Sequence, residues 1–341
     1  MIPPDPSRIM RIASGYGVSK ALLSAVGLGL YTQLATRPMT LGEIVDTFGL
    51  KARPAQDFLD LLVSVDLLER DGDGPQARYR NTPATALYLD RSRPEYVGGI
   101  LDIWERRNYR FWADLTDGLR TGEPQNETKY AGTPFFETMC ADPVQLAAFM
   151  DAMNGASIRN FQALARAFPF GRYRSMADVG GADALLSRQV AAVHPGIDCV
   201  TFDLPLVSEI AQRKIAAAGL ANRIKAISGD FFADPLPAAD VITMGMILHD
   251  WNLDKKKTLI RKAYEALPDG GAFIAIEAFI DDARRSNTFG LFMSLMMLIE
   301  FGDAFDCTVA EFCGWCREAG FSRFETIPLE GPSSAVVAYK D

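Results

Sequence analysis

The run SMADVGGADALLSRQV, residues 175–190, decides how this 341-residue chain is read. A short apolar stretch ends at Asp178 and Val179, a Gly180–Gly181 pair follows, and then apolar residues recur at helical spacing. Strand, tight turn and helix in that order open a nucleotide-type binding unit of an α/β protein. Loops of this kind carry glycine at every second position after the acid. Here Gly180 is present, but the next two such positions hold Ala182 and Ala184. An alanine forced into left-handed backbone costs roughly 1–2 kcal/mol; one in ordinary backbone costs nothing of that kind. The expectation is a cofactor loop that still binds, weakened at worst by about ten- to several-hundredfold, at ~1.4 kcal/mol per decade.

Downstream the same grammar repeats. DCVTFDLP, RIKAISGDFF, ADVITMGMI and GGAFIAIEAFI read as strands, and ALLSRQVAAVH, VSEIAQRKIAAAGL and KKKTLIRKAYEAL read as the helices between them. Strands alternating with helices predict a parallel sheet covered on both faces. The end breaks the pattern: after the helix AEFCGWCREAGF come two apolar runs around GPSS, a terminal antiparallel hairpin. The fold class expected is α/β with a Rossmann-like sheet.

Residues 1–100 read as a separate helical domain. MTLGEIVDTFGL opens with Thr40 as an N-cap and Glu43 as its capping-box partner, and DGDGPQARYRNTPAT reads as a turn with a short strand pair. Three helices and a small wing form a winged-helix pattern, for which DNA binding is the obvious reading. The would-be recognition helix carries Asp57, Asp60 and Asp66 against Lys51 and Arg53, and the chain as a whole has a net charge of −8. Such a face repels phosphates. A dimerisation role is therefore expected, and a homodimer, since residues 13–34 hold more apolar surface than one small domain needs. Residues 101–165, rich in Trp104, Tyr109, Phe111 and Trp112, read as a helical connector or lid, and residues 166–341 as the binding domain. The chain shows no signal-like start and no apolar run of membrane-spanning length. With five scattered cysteines it reads as reduced and cytoplasmic.

In a doubly wound sheet a ligand lies beyond the strand C-termini. Asp203 ends the second strand, placed to accept hydrogen bonds from two ribose hydroxyls, and Asp230 and Phe231 end the third, suited to an adenine amino group and ring face. A dinucleotide would need pyrophosphate on the first loop, where Asp183 opposes it. An adenosyl cofactor without phosphate, S-adenosylmethionine, fits better than NAD.

At this point the chain resembles a family. DVGGADALLSRQVAAVHPGIDCVTFDLPLV, GDFFADPLP, ILHDWN, LPDGGAFIAIEAFI and FDCTVAEFCGWCREAGF are similar to the S-adenosylmethionine-dependent O-methyltransferases of the caffeate, acetylserotonin and hydroxyneurosporene type, and the likeness extends to the N-terminal domain. It implies a class I methyltransferase sheet, an intertwined homodimer and a small-molecule acceptor. It also implies cofactor contacts from Asp178, Gly180, Gly181, Asp203, Leu204, Asp230, Phe231 and Trp251. His249 follows the fourth strand, where a catalytic group belongs, and a neutral imidazole suits removal of an acceptor proton. The resemblance makes it the general base, oriented by Glu277 and by Asp306. The second carboxylate is normally a glutamate in Glu-Arg-Thr; here the segment is FDCT, with Asp306 one methylene shorter and Cys307 in place of the arginine. Gly245 stands where plant members carry lysine. FGLFMSLMMLIEFGDAF and FMDAMNG match acceptor-pocket helices, giving Met150, Met153, Asn154, Met293 and Met297 as candidate acceptor contacts, although methionines at helical spacing also read as plain core. No paired His or Cys set completes a zinc site, so no metal is expected. Two alternatives stay open: the same fold using its cofactor without methyl transfer, as a decarboxylase, hydroxylase or pericyclase, or transfer to sulfur or carbon.

Overall fold

The computed structural model describes residues 5–132, 139 and 142–341, so Cys140 lies outside the described residues. The chain divides into two compact units, Met1–Arg110 with Asp151–Ala156, and Phe111–Met150 with Ser157–Asp341. The long helix Pro143–Ala167 contributes residues to both.

The first unit packs the helices Gly15–Leu28, Leu30–Thr36, Leu41–Phe48 and Ala52–Ser64 around Val26, Leu30, Tyr31, Leu34, Ile44, Leu59 and Leu62. Thr40 caps its helix as a full capping box: its hydroxyl accepts from the Glu43 N–H and its own N–H donates to the Glu43 carboxylate. This unit is not all-helical. It carries a three-stranded antiparallel sheet of β1 (Met39–Thr40), β2 (Glu69–Asp71) and β3 (Arg78–Arg80), in the order β1-β3-β2. The sequence showed only a strand pair, because a two-residue strand has no alternation to read. Asp60 accepts from Arg70 and from the Tyr79 hydroxyl, and Asp57 pairs with Arg53. Near the N-terminus, Ile9, Met10 and Ile12 on the helix Ser7–Ala13 and Tyr16 at the start of Gly15–Leu28 are each more than 60% exposed. No described helix is long and apolar enough to cross a membrane.

The second unit is built on seven strands: β4 (Ser175–Val179), β5 (Asp198–Asp203), β6 (Ile224–Ser228), β7 (Val241–Gly245), β8 (Ala272–Glu277), β9 (Arg323–Pro328) and β10 (Ser334–Tyr339). Their order is β6-β5-β4-β7-β8-β10-β9. The first five are parallel; β10 pairs antiparallel with both β8 and β9, so the terminal hairpin reverses one edge. The chain runs outward from β4 through β5 to β6, then returns to the other side of β4 as β7. That reversal is where a doubly wound sheet opens a crevice. Adjacent strand residues feed opposite cores: Met176 joins Leu164, Phe168, Val190 and Ile274, whereas Ala177 joins Phe202, Ile242, Leu259 and Phe312. Every residue of β8 is buried, including the carboxylate of Glu277 at its end. Cys199, Cys307, Cys313 and Cys316 are free thiols, all buried.

Candidate active site

The first loop leaves β4 at the switch point. Gly180 is left-handed, at φ +69°, and a Cβ there would come within 2.3 Å of the Ile247 side chain; a Cβ on Gly181 would come equally close to the Thr201 hydroxyl. No other residue type meets both demands. Ala182 and Ala184 are also left-handed, at φ +48° and +67°. Protein hydrogen bonds hold them so: the Ala182 N–H donates to Asp203 Oδ2 at 3.0 Å, and the Ala184 N–H to the Gly181 carbonyl at 2.9 Å. The strained case of the two expected is therefore the one present, and its cost falls on the fold as well as on any ligand. Ala182→Gly is expected to raise unfolding free energy by about 1 kcal/mol, the left-handed penalty less the greater backbone entropy of glycine. Ala184 is fully buried, and loss of its methyl forfeits about 0.8 kcal/mol, so Ala184→Gly comes out near neutral. Denaturant melts of the two variants check this ordering.

Asp178 lies beneath the loop, 3% exposed, accepting from Thr243 Oγ1 at 2.7 Å. Burial pushes its carboxyl up to about 7 despite that bond. Asp183 does not face outward as a free charge. It is buried and paired with Lys214 at 2.7 Å and Arg188 at 3.4 Å, so its charge is compensated inside the protein and its repulsion of a pyrophosphate is weakened. Asp203 accepts from the backbone of Ala182 and, through Oδ1, of Leu204 at 2.8 Å; burial lifts its carboxyl to about 6. A carboxylate offers about four acceptor positions, so both oxygens keep capacity for further donors. Beyond β6, Asp230 is exposed and its Oδ1 accepts from the Phe232 N–H. Phe231, Phe232 and Trp251 pack edge to face, with ring centres 4.7–5.9 Å apart. Lys262 donates to the carbonyls of Phe231, Phe232 and Asp234 and so fixes this wall. Leu204 is 39% exposed at the neighbouring strand end. These groups offer backbone, carboxylates and apolar faces with no anion-binding cluster, which fits an adenosyl group and an ammonium.

His249 sits in the single turn Leu248–Asp250 after β7. The chain reaches it through Met246, a non-glycine residue at φ +58°, a strained conformation of the kind found at functional sites. Glu277 ties the turn to the sheet: its Oε1 accepts from the N–H groups of Ile247 and Leu248 at 3.2 and 3.0 Å. Its other oxygen lies 3.5 Å from His249 Nδ1, and Asp306 Oδ1 lies 3.5 Å from the same nitrogen. The shorter Asp306 therefore reaches as far as Glu277 does. Nε2 faces Asp250 at 3.4 Å. His249, Glu277 and Asp306 are all at least nine-tenths buried. Burial pulls the imidazole down, but the carboxylates of Glu277, Asp250 and Asp306 outweigh it and push His249 up to about 10. Burial lifts Glu277 to about 7 and Asp250 to about 6, with the imidazole opposing both.

The three sequence candidates for chemistry thus converge. Met293 and Met297 pack with Trp112, Phe292 and Phe301, where Trp112 stacks on Phe292 at 5.2 Å; Met150 packs with Leu146, Val207 and Ile210. Met153 and Asn154 belong to the first unit. The other histidine, His194, bonds the Ala165 carbonyl at 2.7 Å and serves structure. Asp250 went unnoticed in the sequence although it adjoins His249, and so did Lys256, discussed below.

The seven-stranded sheet is that of a class I methyltransferase, and known proteins share it. The chain belongs to the O-methyltransferase family: the O-methyltransferase domain model matches residues 112–322 and the O-methyltransferase dimerisation domain model residues 10–91. It is 37% identical to the tetracenomycin polyketide synthesis 8-O-methyl transferase TcmO of Streptomyces glaucescens, over 98% of this chain and 97% of that one. It is 34% identical to the N,N-dimethyltransferase OxyT of Streptomyces rimosus, over 92% and 90%. Human N-acetylserotonin methyltransferase, solved with S-adenosylmethionine, superposes with a TM-score of 0.90 at 28% identity, covering 99% of both chains. The protein is an S-adenosylmethionine-dependent methyltransferase.

Proposed function

We propose that the acceptor is a phenolic hydroxyl on a flat, partly apolar ring system, with His249 as general base, Glu277 and Asp306 orienting it, and Met150, Met293 and Met297 of the same unit facing the acceptor. One observation carries the reading: two buried carboxylates meet at His249 Nδ1. They hold a proton on that nitrogen and leave Nε2 to take the proton of the acceptor. Together with Asp250, which lies 3.4 Å from Nε2, they raise the basicity of the imidazole to about 10, near that of a phenol, ~10 for tyrosine. Matched basicities make the proton transfer nearly thermoneutral, whereas an unperturbed histidine near 6.5 would face it uphill by about 5 kcal/mol. The name of TcmO, an 8-O-methyl transferase of polyketide synthesis, agrees with a phenolic acceptor; OxyT keeps an amine acceptor as the second reading.

When bound, S-adenosylmethionine supplies a methyl group on a positively charged sulfur. In this reading Asp203 holds its ribose, Asp230 and Phe231 its adenine, and Gly180, Gly181, Asp178, Leu204 and Trp251 the rest of the cradle. The protein aligns acceptor oxygen and methyl group, and His249 removes the proton as the oxygen attacks.

The raised basicity sets a sign for pH dependence. The base must be neutral to act, and the pKa of about 10 keeps it protonated near pH 7. Turnover with a phenolic acceptor should therefore rise from pH 7 toward pH 9–10, by up to about tenfold per unit. A rate that falls over that range rules out His249 as the titrating base. A screen of phenols against aryl amines, read by mass shift, tests the acceptor class directly; methylation confined to the amines overturns the proposal.

We also infer a homodimer through the first unit, supported by the dimerisation-domain match and the exposed Ile9, Met10, Ile12 and Tyr16. Light scattering at micromolar concentration should give twice the chain mass.

A further inference from the structure

Lys256 is fully buried, an arrangement lysine adopts almost only with partners. It lies in the first turn of the helix Leu253–Ala266, where the helix dipole disfavours a cation. Its ammonium donates to the Trp251 carbonyl and stands 3.8 Å from the centre of the Phe305 ring. The Trp251 carbonyl it binds directly follows Asp250, and the Phe305 ring it covers directly precedes Asp306; Asp250 in the turn after β7, Glu277 at the end of β8, and Asp306 with the Cys307 thiol after the helix Thr288–Phe301 act on its charge. The three carboxylates also surround His249, and Glu300 adds a further negative charge near Asp250. Burial lowers the basicity of the ammonium, and these groups oppose that. Three carboxylates around one imidazole leave an excess of buried negative charge, and buried charges persist only when paired.

We propose that Lys256 is a positioning residue for this site: its ammonium is the buried positive charge that opposes the carboxylates of Glu277, Asp306 and Asp250 around His249. It touches neither acceptor nor methyl donor and acts through the electrostatics of the base. The ammonium limits how far the carboxylates raise the imidazole, and so enlarges the neutral fraction of the base at any given pH. The proposal rests on His249 being the base, but its central claim is a property of the cluster and can be read without turnover.

The chain has two histidines, so His249 can be followed by NMR with ring-labelled histidine and identified with a single His194→Gln control. Lys256→Met conserves volume and removes the charge. The His249 titration should rise by about one pH unit or more, and the acid limb of turnover should move with it. Lys256→Arg should leave both where they are, and Lys256→Ala/Cys307→Lys, which returns the cation next to Asp306 in the chain, should bring them back. Lys256→Gln serves if the methionine variant fails to fold. An unchanged His249 titration in any folded variant lacking the charge overturns the proposal. A titration that moves while the turnover profile stays fixed upholds the counter-charge and instead removes His249 as the base.

Discussion

Replacing His249 by Asn lowers turnover by roughly 10²–10⁴-fold, the usual worth of a general base, while affinity for S-adenosylmethionine changes little. The separation follows from placement. Among the described residues, the carboxylates within 3.5 Å of the His249 ring are those of Glu277, Asp306 and Asp250, outside the loops after β4 and β5. Asn retains a polar group of smaller size, and Glu277 keeps the two backbone N–H donors that anchor the turn, so the local frame survives. Single-turnover rates and calorimetric titration on the same preparation provide the two readings. A variant that turns over at near the parental rate would remove the base assignment and favour an acceptor that needs no proton abstraction.

Asp203→Ala has the opposite signature. Each hydrogen bond to a charged acceptor contributes about 1.5–3 kcal/mol; two from ribose hydroxyls give about 10²-fold or more in affinity. The substitution also frees the Ala182 N–H, whose bond to Oδ2 holds the loop closed. The dissociation constant for S-adenosylmethionine should rise at least about tenfold, and turnover at saturating cofactor should hold within a few-fold, because the interaction is equal in ground and transition states. A variant that binds like the parent would place the ribose elsewhere.

Much of the sheet was legible because central parallel strands buried on both faces read as largely apolar runs, as β4, β7 and β8 do; the edge strand β6, IKAIS, is mostly outside the core and is marked by its β-branched residues instead. Glu277 stood out for the matching reason: a charge at the end of a buried apolar run demands a partner. What stayed hidden depended on contacts far apart in the chain. Nothing in the spacing of Asp183 and Lys214 shows that they pair. Lys256 was hidden inside KKK, which reads as a solvated face. The helical period separates the three: Lys255 lies over Trp251, Lys257 pairs with Glu318, and only Lys256 falls in line with buried Leu259, Ile260 and Ala263. That register was present in the sequence, and the identity of the side chain argued against it. The left-handed alanines were undecidable from composition, since the same residues in ordinary backbone would carry no strain.

The burial of Cys199, Cys307, Cys313 and Cys316 provides a stopwatch already built into the chain. Alkylating reagents need an accessible thiolate, and burial drives Cys199 up to about 12 and Cys313 and Cys316 upward as well. Each thiol is then labelled only during an opening event, and its labelling rate reports the free energy of that event. Cys199 sits in β5 and Cys316 in the helix Val309–Ala319. Pulsed alkylation followed by peptide mass mapping would time the two regions independently in the unaltered protein. Equal rates would mean that they open in one cooperative step, and a faster Cys316 that this helix breathes while the sheet stays closed.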